Sequence, residues 1–161
     1  MMEYRSGIGY DIHPLVSGRS LVLGGIRIPF EKGLAGHSDG DVLCHAIMDA
    51  LLGAASLPDI GHWFPDTDAR YQGIRSTLLL SQVAKLLREK GWEVVNVDAT
   101  IIAEFPRIAP FRDSIRIALA EALALEPERI GVKATTHEGI GSLGGGVGIA
   151  CLAVCLVQKG L

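Results

Sequence analysis

Cysteine is scarce: Cys44, Cys151 and Cys155 are the only three in 161 residues, too few for a disulfide framework. Cys151 and Cys155 lie four apart on a predicted strand, ~13 Å along it, beyond bridging reach. All three read as buried thiols in a reducing compartment. Long apolar runs are also missing. The longest, Ile149–Val157, suits a buried strand and falls far short of the ~20 residues of a membrane span. Met1-Met2-Glu3-Tyr4-Arg5 has no apolar signal core. Basic clusters are absent, and 15 Lys and Arg against 18 Asp and Glu leave a net charge of −3, which argues against a nucleic-acid partner. No repeat, linker or charge block divides the chain.

What remains is ordinary globular composition with one excess. Apolar residues are 48% and charged residues 20%. A chain this long buries ~68–70% of its unfolded surface, so one domain over residues 1–161 needs no structural staple. Glycine is the excess, at 20 residues where ~7% of a chain is typical; six lie between Gly139 and Gly148.

The hydrophobic pattern changes every 10–20 residues. Arg5–Asp11 alternates and predicts a strand; Leu21–Phe30, two short apolar runs around Gly24-Gly25, predicts a hairpin. His37-Ser38-Asp39-Gly40 opens a helix to about Ala54, with Ser38 or Asp39 as N-cap and an apolar stripe at helical spacing. Leu57–Gln72 is irregular and polar. Helices follow over about Ser76–Lys90, stopped by Gly91, and Phe111–Leu125. Glu93–Ile102, Ile130–Thr136 and Ile149–Gln158 predict strands. The sum is α+β: mainly a four-stranded mixed sheet with helices packed on one face, plus a small hairpin.

The histidines carry most of the chemistry. Asp11 and His13, two apart on a strand, project to the same face. Asp41, His45 and Asp49, at i, i+4 and i+8, form a polar stripe on the first helix. An Asp/His/His set with an open fourth position is how a catalytic zinc is held, and Asp49 suits a carboxylate orienting a ligand imidazole. The same residues equally suit a satisfied helix histidine and a solvated stripe. His37-Ser38, before a helix, favours an anion or serves as a plain cap. The Gly139–Gly148 run fits neither common phosphate loop; it suits an anion nest, a bend or a subunit contact. Glu138, after Thr135-Thr136-His137, is a hard ligand for Mg²⁺ or a solvated turn carboxylate. Asp59–Asp68, with Trp63 and Phe64, is a lid or an ordinary connection.

Several motifs together resemble one family. They are Gly9-Tyr10-Asp11-Ile12-His13, His37-Ser38-Asp39-Gly40-Asp41-Val42, Asp59-Ile60-Gly61, Phe64-Pro65-Asp66-Thr67-Asp68 and Thr135-Thr136-His137-Glu138. In order over essentially the whole chain, they resemble the 2-C-methyl-D-erythritol 2,4-cyclodiphosphate synthases of the non-mevalonate isoprenoid pathway. The resemblance implies a homotrimer with interfacial active sites, acting on 4-diphosphocytidyl-2-C-methyl-D-erythritol 2-phosphate and releasing CMP. It implies that Asp11, His13 and His45 hold one Zn²⁺ per subunit and that Glu138 holds Mg²⁺ or Mn²⁺. His37 and Thr136 would stabilise the transition state, and Ser38 would grip phosphate. Asp59, Ile60, Gly61, Phe64, Pro65, Asp66, Thr67 and Asp68 would hold the erythritol end. Ala103, Pro106, Arg107, Ile108, Ala109 and Thr135 would line the cytidine pocket, beside the zinc site of a neighbouring subunit. Asp11, His13, Thr136 and Glu138 would also touch substrate.

Two departures from the family pattern involve three positions. Gly145 and Val147 stand where many members carry a basic and an acidic residue facing a central trimer cavity, and Arg107 replaces a common lysine. With no transit peptide, the resemblance implies bacterial cytoplasm. Two further functions suit the same residues: a zinc-dependent nucleotide-diphosphate hydrolase, and a non-catalytic metabolite-binding trimer.

Overall fold

Residues 1–160 are described by the computed structural model. Strand β1 (Met2–Ser17) leads into a hairpin of β2 (Leu21–Leu23) and β3 (Ile26–Ile28), then a short strand β4 (Lys32–Leu34). Helix α1 (Val42–Ala54) follows, then the four-residue α2 (Ile60–Trp63) and a 3₁₀ turn at Ala69–Tyr71. Helix α3 (Ser76–Glu89), β5 (Glu93–Ile102), α4 (Arg112–Leu123) and β6 (Ile130–Thr135) come next, then a single turn α5 (Gly141–Gly144) and β7 (Gly148–Gly160).

The main sheet has five strands in the order β4-β1-β7-β5-β6, with only β5 and β6 parallel. This corrects the expected four. The additional strand is the three-residue β4, which pairs Lys32–Leu34 with Leu15–Ser17 at the sheet edge. So short a segment, centred on Gly33, carries no alternation to read. The small hairpin stands apart, as expected. Among the described residues no helix is long and apolar enough to cross a membrane.

Helix α1 lies across β1 and β7, and α3 packs against it from the other side, so α1 is buried nearly all round. The approach to β1 is close enough to forbid side chains. A Cβ on Gly7 would overlap the carbonyl oxygen of Ala50, and one on Gly9 that of Ala46. The opposite face of the sheet is left largely exposed among the described residues. There Ile8 pairs with Val154 and Tyr10 with Leu152, and Ile8 is 67% and Tyr10 54% exposed.

The start of α1 differs from the sequence reading. The helix begins at Val42 with Asp41 as its N-cap, because Gly40 sits at φ +77° and breaks any helical path from His37. Asp41 is therefore no part of a polar stripe. Its fully buried carboxylate accepts the Cys44 N–H at 3.1 Å and, across the fold, those of Gly24 at 3.0 Å and Gly25 at 2.8 Å. One side chain thus fastens the hairpin turn to the helix start. Burial raises the Asp41 carboxyl above its ordinary value, with Asp39 adding to it. All three cysteines are buried free thiols, and burial pushes Cys155 up to about 11.

Candidate metal centre and active-site cleft

Close packing of α1 on β1 decides the site. Strand β1 runs past the expected Asp11 to Ser17, so Asp11 and His13 project from within it, on the same face as Gly7 and Gly9, and His45 projects from α1 to meet them. Their ligand atoms converge: His13 Nε2 lies 2.8 Å from Asp11 Oδ2, His45 Nδ1 lies 3.1 Å from the same oxygen, and the two nitrogens are 3.4 Å apart. A tetrahedral ion with ~2.0–2.1 Å bonds has ligand–ligand edges of ~3.3–3.4 Å, so the three atoms already stand near the corners one metal requires. A carboxylate with two imidazoles is also the donor set that suits a zinc-like cation.

The charges agree. Burial raises the Asp11 carboxyl, but hydrogen bonds and charge from His13 and His45 outweigh it and hold it far below the usual carboxylate range. Burial lowers His13, yet the hydrogen bond and charge of Asp11 leave it raised overall. The Ala35 backbone adds to the raising of His13, and Gly36 stands so close to the ring that a Cβ there would lie 3.2 Å from Cε1.

The trio opens into a cleft of about 660 Å³ that His37, Ser38, Ile60, Gly61 and the Phe64–Thr67 segment also line. The loop bearing His37 and Ser38 is fastened from two sides. Arg19 donates to the carbonyls of Gly36 (3.1 Å) and Ser38 (2.8 Å). Gly73 N–H donates to the His37 carbonyl (2.8 Å), and His37 Nε2 is 3.0 Å from the Asp68 carbonyl oxygen. Asp59 and Asp68 do not line the cleft through their carboxylates: Asp59 caps α2 at His62 N, and Asp68 caps the 3₁₀ turn and pairs with Arg70 at 2.6 Å.

Asp49 also departs from the expected role. It makes no hydrogen bond to an imidazole; its Oδ1 accepts the Ile60 N–H at 2.9 Å and so holds the start of α2. The groups that do meet His45 Nε2 are the hydroxyls of Ser38 (3.1 Å) and Ser76 (3.0 Å). Ser76 was not singled out from the sequence, since a serine opening a helix reads as a cap. Arg19 was missed likewise.

The remaining candidates lie elsewhere. Ala103, Pro106, Arg107, Ile108, Ala109, Thr135 and Thr136 line a separate depression of about 200 Å³, which shares no residue with the first cleft. Glu138 is exposed beside it, in the left-handed region at φ +52°. Its N–H donates to Thr136 Oγ1 at 3.0 Å, while Glu104 accepts from the N–H groups of His137 (2.7 Å) and Gly139 (3.4 Å). A protein carboxylate thus fills the nest of N–H groups at the head of the glycine-rich run. Within one chain, His37 and the metal trio share a cleft, whereas Thr136 and Glu138 stand apart from it.

Comparison with known proteins covers nearly the whole chain. The profile described as the YgbB family matches residues 4–158. The 2-C-methyl-D-erythritol 2,4-cyclodiphosphate synthase of Laribacter hongkongensis is 56% identical over 160 residues, covering 99% of each chain. The Plasmodium falciparum IspF–CDP complex aligns at TM-score 0.86 and 34% identity, over 98% of this chain and 97% of the other. The bifunctional IspDF of Campylobacter jejuni aligns at TM-score 0.95 and 39% identity over 99% of this chain, which spans 43% of that longer protein.

Proposed function

The chain belongs to the YgbB family, and from that premise we propose that it converts 4-diphosphocytidyl-2-C-methyl-D-erythritol 2-phosphate to 2-C-methyl-D-erythritol 2,4-cyclodiphosphate and CMP. The observation that carries this reading is the convergence of Asp11, His13 and His45 in the cleft that His37 and Ser38 share. An oxygen of the 2-phosphate forms a bond to the β-phosphorus. The bond from that phosphorus to the oxygen bridging toward the α-phosphate breaks, and CMP leaves with the oxygen. An eight-membered ring closes, and no nucleophilic side chain takes part.

Nucleophile and target are both anionic, so the chain must offset their repulsion and fix their orientation. Asp11, His13 and His45 would hold Zn²⁺ and Glu138 would hold Mg²⁺ or Mn²⁺, which when bound would supply the positive charge and Lewis acidity that phosphoryl transfer needs. Glu138 suits the second role because Mg²⁺ commonly takes one carboxylate and fills its shell with phosphate oxygens. His37, steadied by the Asp68 carbonyl, and Thr136 stabilise developing charge, and Ser38 grips phosphate. The segment from Asp59 to Asp68 surrounds the erythritol end. Residues Ala103–Ala109 with Thr135 take the cytidine, where Arg107 offers a flat guanidinium.

The protein works as a homotrimer. Two considerations support that. The separate cytidine depression and metal cleft need a neighbouring subunit to bring them together. The uncovered sheet face, with Ile8, Tyr10, Ile12, Leu152 and Val154 all exposed, is the kind of apolar patch that self-association covers.

Phosphorus NMR of the cytidyl substrate with zinc-loaded protein and Mg²⁺, beside an EDTA-treated control, tests the reading. CMP plus a cyclic diphosphate, lost with EDTA, is the expected result. CMP with an open-chain phosphorylated product would instead make the protein a hydrolase. Absence of turnover by zinc-loaded trimer would leave a binding role.

A further inference from the structure

His45 makes contacts that the proposed reaction does not use. Its Nε2 points away from the cleft toward Ser76, a fully buried serine at the first position of α3. Ser76 Oγ lies 3.0 Å from that nitrogen and 2.6 Å from Asp39 Oδ1. Asp39 holds the same residue a second time, its Oδ2 accepting the Ser76 N–H at 3.0 Å. No other side chain caps α3.

A serine hydroxyl has one proton to give. Between a carboxylate at 2.6 Å and an imidazole nitrogen at 3.0 Å, the charged and nearer acceptor takes it. Ser76 then offers His45 only lone pairs, so the proton between them must sit on Nε2. Ser38 Oγ lies 3.1 Å from the same nitrogen and 3.3 Å from Ser76 Oγ; with the Ser76 proton directed at Asp39, Ser38 can give its own proton to a Ser76 lone pair and so also accept from Nε2. A neutral imidazole with its proton on Nε2 has a bare lone pair on Nδ1. Nδ1 faces Asp11 Oδ2 at 3.1 Å and His13 Nε2 at 3.4 Å, so with Nε2 holding its own proton, Nδ1 is the atom that a cation shared with Asp11 and His13 takes in place of any proton held toward Asp11.

We propose that Ser76, oriented by Asp39, is a positioning residue: it fixes His45 in its Nε2–H tautomer and so presents Nδ1 as a donor to a divalent cation. The proposal rests on the metal reading of Asp11, His13 and His45. It also gives Asp39, in the His37–Val42 motif, a definite task, since the Asp39 carboxylate is what claims the Ser76 proton.

The test uses full-length, metal-free protein with ¹⁵N-labelled histidine at pH 8. Long-range proton–nitrogen correlation reports the His45 tautomer, and competition with a chelator reports zinc affinity. The wild type is expected to show Nε2–H. Ser76→Ala is expected to gain an Nδ1–H population and lose ~10-fold in zinc affinity, the lower end for losing an orienting partner. Ser76→Thr keeps the hydroxyl and is expected to restore both. An Nδ1–H tautomer in a wild type that binds zinc tightly overturns the role of Ser76 alone. A wild type with Nε2–H that holds no zinc overturns the metal reading, and the donor role with it. If Ser76→Ala does not fold, the wild-type and Ser76→Thr spectra still decide. A folded Ser76→Ala protein with unchanged tautomer and affinity refutes the proposal.

Discussion

Gly9→Ala joins the packing of the fold to the chemistry of the site. The added Cβ would overlap the carbonyl oxygen of Ala46 and stand 2.8 Å from the amide nitrogen of Ala50. Both are backbone atoms of α1, so no side chain can turn aside. The helix must retreat from β1 by on the order of 1 Å, at a cost of ~1–3 kcal/mol typical of overpacking. For a chain of this size ~2 kcal/mol lowers Tm by roughly 4–8 °C. The effect on the ligands is selective. His45 rides on α1, one residue from Ala46, whereas Asp11 and His13 ride on β1. Retreat therefore lengthens the 3.1 Å and 3.4 Å edges and leaves the 2.8 Å edge alone. Metal ligands tolerate only about ±0.2 Å, so zinc affinity should fall at least ~10-fold. Thermal melts and chelator competition measure the two effects. Gly53→Ala is the control: it lies on the same helix with nothing within 4 Å of the added methyl, and should keep zinc and not lower Tm. A Gly9→Ala protein with wild-type Tm and zinc affinity would refute the claim that glycine contact sets the ligand geometry.

Further outcomes follow from the same contacts. Asp41→Ala removes a cap worth ~1 kcal/mol and orphans the N–H groups of Gly24 and Gly25 at ~1–3 kcal/mol each, so denaturant unfolding should show a loss of about 3–7 kcal/mol. His45→Ala should lower zinc content and turnover together, whereas Glu138→Ala should keep zinc and lose turnover; metal analysis beside the phosphorus NMR assay separates them. His13 is raised in the metal-free fold, so its pairing with Asp11 stabilises that state fully below pH ~6.5, the ordinary histidine value, and the benefit fades as pH rises through the raised one. The depressed Asp11 keeps the pair intact until strongly acidic pH. A metal must displace the His13 proton, so calorimetry should show proton release on zinc binding near neutrality and weaker affinity at pH 6 than at pH 8. Ile8→Asp with Leu152→Asp places charge on the uncovered sheet face and should dissociate the trimer in sedimentation, abolishing turnover while each subunit keeps its zinc.

The strong helices, the hairpin and four of the five strands of the main sheet were legible because their side chains repeat at 3.6 or 2 residues over enough length to read. The edge strand Lys32–Leu34 was not, being too short for any period. Asp11, His13 and His45 were legible as a candidate donor set from residue type and local spacing, and the ordered motifs tied them to one family. Their meeting was not, because it depends on how deeply α1 settles onto β1, which Gly7 and Gly9 allow only through contacts across 40 residues of chain. For the same reason Asp41 and Asp49, spaced as partners of His45, turned to other tasks: one took three buried N–H groups, the other the start of α2. Ser76 and Asp39 reached His45 through the docking of α3, which local spacing does not encode. The sequence by itself determined which donors exist and the period of each element. Only the tertiary structure decided which donors share one point in space, because convergence follows from backbone approach and buried hydrogen-bond demand over long chain separations.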